Sequence, residues 1–245
     1  MKRPVLILIL LFQVCLAQGQ GIPDYNARLY GSYIRGEMGE WSEILSEMSA
    51  EYEQTQSQAL LYDLCFAYYG YIPYLIDAEE EKAARDYLEI AISKTKDLAR
   101  GLDNRHDVLA LQGALLGYQI VLSKFSSMFV GPRAMKYIKT AYESADVCFN
   151  CNTEMGNIKF FTPKLLGGSK TEAIPYYEKA VEILESSSLK SDRNWIYLNT
   201  VLLLANAYRE TGQNGSACRL YKEMLDYEPE ADWIREDLYS DCPPK

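Results

Sequence analysis

Beyond residue 24, apolar positions recur at spacings of three and four. They do so across "YDLCFAYYGYIPYLI", "ARDYLEIAISKTKDLA", "DVLALQGALLGYQIVLSKF", "AMKYIKTAYESADV", "IPYYEKAVEIL" and "WIYLNTVLLLANAY". That period is the signature of helices with one buried stripe. No segment alternates apolar and polar residues between turn signals as a half-buried strand would. The pattern predicts an all-α chain of about ten or eleven helices with short turns. Breaks between the runs carry start signals: Asp77 with Glu80 as a capping box, Gly131-Pro132 at a helix start, Asp103 or Asn104 and then Asp192 as caps, and Asn214 ahead of the Ala217 helix.

The helices also repeat. Alanine, a large residue four later and a small one three after that occur as Ala84-Leu88-Ala91, Ala134-Ile138-Ala141 and Ala173-Tyr177-Ala180. Ala217-Tyr221-Met224 is a fourth, looser copy. Small residues at this spacing let a neighbouring helix approach, and the large one fills the gap. Each copy closes a unit of two antiparallel helices, which buries its faces only by stacking on the next unit.

This arrangement resembles the tetratricopeptide repeat (TPR). Val201, Leu204, Ala205 and Tyr208 stand at the W-x2-L-G-x2-Y spacing, Gly212 at the turn, Ala217 and Tyr221 at the A-x3-F spacing, and Pro229 at the closing proline. Tyr68, Tyr71, Ile72 and Leu75 precede the Ala84 helix in the same register, as do Tyr118, Val121, Leu122 and Phe125 before Ala134. The first unit, Tyr30 to Met48, is degenerate. The resemblance implies a TPR-like α-solenoid of about five helix pairs with a C-terminal capping helix. It also implies a concave face that binds a protein or peptide partner. In the last unit that face comprises Asn199, Leu202, Asn206 and Arg209; Leu202 stands where carboxylate-clamp binders need lysine, so that mode of peptide capture is not expected. Tyr68, Tyr71 and Tyr118 fall on the core register, whereas Tyr69 falls off it and is the surface candidate. A narrower segment, "FFTPKLLGGSKTEAIPYYEKAVEI", is similar to a turn and helix in periplasmic T components of TRAP-type transporters. That likeness implies a subunit that handles a small solute in a helical groove or pore.

The N-terminus sets the expected compartment. Lys2 and Arg3, an apolar run from Val5 to Phe12 and the small Ala17 have the layout of a signal peptide over 1–17, leaving 18–245 as a single exported domain. The residues before Cys15 match a lipidation site poorly, so a lipid anchor there is the lesser expectation. No later stretch is long and apolar enough for a membrane span. Removing Lys2 and Arg3 takes the 25 basic residues to 23 against 34 acidic ones, a net −11 that gives no bulk attraction to nucleic acid. Among the cysteines, Cys148 and Cys151 are a local disulfide or two idle thiols, Cys218 is a candidate partner for Cys242, and Cys65 sits among aromatics like a small core residue.

Chemistry is sparse. The Gly167-Gly168-Ser169-Lys170 run lacks the spacing and the preceding strand of a phosphate loop. Ser169 and Glu172 read instead as a capping box, with Pro175 requiring either a start at Thr171 or a bent first turn. His106 reads as a solvated loop residue without triad partners. No catalytic, cofactor-binding or metal-binding set emerges, and a non-enzymatic scaffold is the expectation.

Overall fold

The computed structural model describes residues 24–101, 105–123, 125 and 127–243. Among these the chain forms eleven α-helices and no strand. Five antiparallel pairs follow in order. They are α1 (Tyr25–Arg35) with α2 (Trp41–Thr55), α3 (Gln58–Asp77) with α4 (Glu81–Gly101), and α5 (His106–Leu122) with α6 (Ser127–Tyr142). Next come α7 (Phe149–Phe161) with α8 (Lys170–Glu185) and, after the one-turn α9 (Ser188–Ser191), α10 (Trp195–Glu210) with α11 (Asn214–Tyr227). A π-helical turn, Ile234–Tyr239, packs on α11. The expected signal peptide with Cys15, and the candidate caps Asp103 and Asn104, lie outside the described residues. Among the described residues no helix is long and apolar enough to cross a membrane.

All four packing triplets are buried. The large residue of each triplet needs room on the facing helix, and glycine supplies it in the middle pairs. A Cβ on Gly113 of α5 would lie 2.3 Å from Ile138, and one on Gly156 of α7 would lie 2.6 Å from the Tyr177 ring. This corrects the expected register of the third unit. Val121 and Phe125 stand exposed at the α5–α6 turn, Phe125 at 96%. The reason is where the helices meet: α5 continues to Leu122 beyond Gly113 and α6 starts at Ser127 ahead of Ile138, so the contact zone sits further from the turn than repeat spacing implies.

The stack bends tightly enough for its first pair to meet its last. Trp195 at the start of α10 packs edge-on to Trp41 of α2 at 5.2 Å and against Tyr33 of α1 at 6.4 Å. Tyr30 donates to Glu228 at 2.8 Å, and the Trp233 indole N–H donates to the Tyr33 and Ile34 carbonyls. Gly70 of α3 lets both Trp195 and Trp41 approach its backbone. Trp41 and Trp195 are thus buried where α1, α2, α3 and α10 meet.

Several caps differ from the sequence expectation. Asp77 ends α3 instead of starting α4, and Asn194, not Asp192, caps α10 by accepting from the Ile196 N–H at 3.0 Å. Pro132 lies within α6, well past its first turn, and not at its start. Disulfides join Cys148 to Cys151 at the entrance of α7 and Cys218 to Cys242, which ties the C-terminal segment to α11. Cys65 is a free, buried thiol whose pKa burial pushes up to about 12.

Candidate functional site

The glycine segment resolves as a helix entrance. Gly167 has φ +91°, and a Cβ on Gly168 would lie 1.8 Å from the Thr162 carbonyl oxygen, so the loop folds onto the end of α7. Ser169 Oγ accepts from the Glu172 N–H at 3.2 Å. The reciprocal half of the capping box is absent: the Ser169 N–H donates to the Lys159 carbonyl and the Glu172 carboxylate pairs with the Lys159 ammonium. The helix starts at Lys170 despite Pro175, which leaves the Thr171 carbonyl without its usual donor. His106 is half-buried, not solvated; its Nδ1 lies 3.2 Å from the Thr140 carbonyl and ties α5 to the end of α6.

The inner face carries a recess of about 620 Å³, walled by α1, α2 and α3 on one side and by α9 and the first turns of α7 and α10 on the other. Five rings line it: Tyr25, Tyr62, Phe66, Phe149 and Trp195. Degenerate as it looks in sequence, the first helix pair supplies much of the wall because the tight bend brings it opposite α10. Asn26 of α1 donates to the Asp192 carbonyl at 3.2 Å across this junction.

Charge in the recess has one sign. Among the described residues Asp24, Glu51, Asp63 and Asp192 line it, and no basic residue does. Asp24 caps α1 through the Ala27 N–H at 3.0 Å. Glu51 accepts from the Tyr25 hydroxyl at 2.8 Å; burial, then this bond, pushes the Tyr25 pKa up to about 12. Asp63 makes no hydrogen bond or ion pair with the described residues. It is open to water at the recess, yet enough protein surrounds it that burial raises its pKa from the ordinary aspartate value. Tyr62 donates to Asp107 at 2.8 Å, and the Arg105 guanidinium lies over the Tyr62 ring at 4.8 Å. Burial opposes ionisation of Asp107, but bonds from Arg105 and Tyr62 hold its pKa below the usual value.

Behind the recess lies a second polar feature. Phe66 contacts Tyr62, Phe149 and Tyr69, and Tyr69 donates to Glu154 Oε1 at 2.7 Å. Glu154 is 3% exposed and has no ion-pair partner among the described residues. Burial dominates and lifts its pKa to about 7, against the opposing bonds from Tyr69 and Asn157. Tyr177 completes the network by donating to Asn157 at 2.8 Å. A wider depression of about 880 Å³ near Glu79–Glu81 and Val121 opens more broadly to solvent and lacks aromatic walls.

The structure does not gather the sequence candidates at the recess. Tyr69 is buried and bonded to Glu154, which corrects its expected surface role: beyond Asp63, α3 is apolar on several faces, and α4, α5 and α7 cover them. Asn206 accepts from Arg209 at 3.2 Å, about 16 Å along α10 from Trp195 at 1.5 Å per residue. Asn199, one turn past Trp195, is half-buried and is not among the recess walls. The lining residues Tyr25, Glu51 and Asp63 escaped the sequence reading. The signal present was the density of Tyr, Asp and Glu in the irregular first unit. Among the described residues no group of His, Cys, Asp and Glu side chains is arranged to hold a metal ion.

No family model matches the sequence, and no curated protein matches it. Solved structures do. A thermophilic TPR protein of Thermus thermophilus superposes with a TM-score of 0.57 at 14% identity, covering 88% of this chain and 95% of that one. YrrB, a TPR protein with an unusual peptide-binding site, matches with a TM-score of 0.36 at 14% identity, covering 88% and 97%. The chain has the fold of a divergent TPR-like protein, an all-α solenoid of stacked antiparallel helix pairs.

Proposed function

We propose that this chain is an exported, non-enzymatic scaffold that binds a segment of a protein partner in the inner-face recess. One observation carries the reading: a ring-walled recess of about 620 Å³ on the inner side of a TPR-like stack, where the wider depression near Glu79 has no such walls. Concave sites with apolar walls and a few placed polar groups are the usual form of binding sites. The basic start and apolar run within 1–17 support export. The pairing of aromatic walls with a few carboxylates in one concave place supports a binding role.

The half-enclosed volume favours one second reading, a transport-associated subunit that holds a small solute in the same place. Capture from envelope extract separates the two. Wild-type protein should retain a protein partner that the Leu60→Arg variant, with a bulky side chain across the recess, does not. A small molecule co-purifying with the wild type, with no protein partner, would overturn the scaffold reading.

A further inference from the structure

We infer that the recess selects a cationic partner segment, one that presents a lysine or arginine side chain between the aromatic rings and the Asp63 and Glu51 carboxylates. This rests on the proposed binding role of the recess and specifies its chemistry. Three observations support it. The walls combine aromatic faces with four carboxylates and no base. The flanking cations of the chain itself are already paired: Arg28 with Glu47, Arg105 with Asp107 and Arg193 with Glu228. Among the described residues no cation pairs with Asp63. Finally, the wall already accepts a cation on a ring, since Arg105 stacks on Tyr62 from one side.

A guanidinium or ammonium in this setting gains in two ways. It meets the negative faces of the rings, and it pairs with a carboxylate whose charge burial otherwise disfavours. An acidic segment would meet uncompensated like charge, so the recess also discriminates by repulsion. Wild-type protein should therefore prefer a basic segment over its neutral counterpart by about tenfold.

The test is selection from a random dodecapeptide display library against the mature chain. Three proteins are compared: wild type, the Asp63→Asn/Glu51→Gln double variant, and a control, Glu89→Gln/Glu223→Gln, that removes the same charge from exposed positions elsewhere. Glutamine at 51 keeps an acceptor for Tyr25, and helicity by circular dichroism confirms that each protein is folded. Peptides recovered by wild type and control should be enriched in lysine and arginine, and the double variant should lose that enrichment. Recovered peptides without basic enrichment, or enrichment that survives in the double variant, would overturn this inference and leave the scaffold reading standing. Failure of all three proteins to retain any peptide above background would overturn the scaffold reading as well.

Discussion

Replacing Glu154 by glutamine keeps the shape of a buried side chain and removes its charge. In the folded chain this carboxyl titrates near 7, against 4.5 for an ordinary glutamate, because burial penalises the anion more than the Tyr69 and Asn157 bonds favour it. The folded state thus holds the proton more tightly than the unfolded state. The stability this contributes is fully present below about pH 4.5 and is lost as pH rises through about 7. At 1.36 kcal/mol per unit, the loss at pH 8.5 is on the order of 3 kcal/mol. Glutamine avoids it but gives up a charge-assisted bond from Tyr69, worth about 1 kcal/mol more than a neutral one. Glu154→Gln should therefore stabilise the protein by about 2 kcal/mol near pH 8.5 and change little near pH 5. Urea unfolding of both proteins at the two pH values, followed by far-UV circular dichroism, measures this directly. Equal destabilisation at both pH values would refute the reasoning, since it would mean that the carboxylate is favoured where it sits.

Three other substitutions probe the packing. Gly113→Ala places a methyl group against Ile138 and should cost about 1–3 kcal/mol, partly restored in the Gly113→Ala/Ile138→Val double variant; thermal melts of the full cycle give the coupling. Ser169→Ala removes the α8 cap and should cost about 1 kcal/mol in urea unfolding, because the Glu172 N–H loses its acceptor. Cys242→Ser frees the C-terminal segment from α11 and should cost about 2–4 kcal/mol, with increased proteolysis beyond Trp233; an unchanged melting point would show that the Trp233 contacts hold the segment alone.

The helical class and the pairing of helices were legible in the apolar period and the alanine triplets, because both depend on neighbours in sequence. Ala84, Ala134, Ala173 and Ala217 all occupy close helix contacts. The register of the third pair was not legible. It depends on where Gly113 meets Ile138, and repeat spacing carries no information about helical residues added between that contact and the turn. Tyr69 misled for a related reason: a one-stripe register assumes one covered face, and α3 is covered on several. The uninterrupted apolar character of "LCFAYYGYIPYLI", which follows Asp63, was the available warning, since a helix apolar on every face is buried. The recess lay beyond reach, because it forms only where the tight bend sets Tyr25 and Glu51 opposite Trp195, and that closure joins residues far apart in the chain.

Hydrogen exchange of residues 18–245, with and without a lysine-rich dodecapeptide from the selection, tests the central claim that binding occurs in the recess. The account predicts slowed exchange in the recess-forming stretches 57–66 and 189–196, with α4 and α6 unchanged. Slowed exchange confined to the outer helices, with those stretches unaffected, would contradict it.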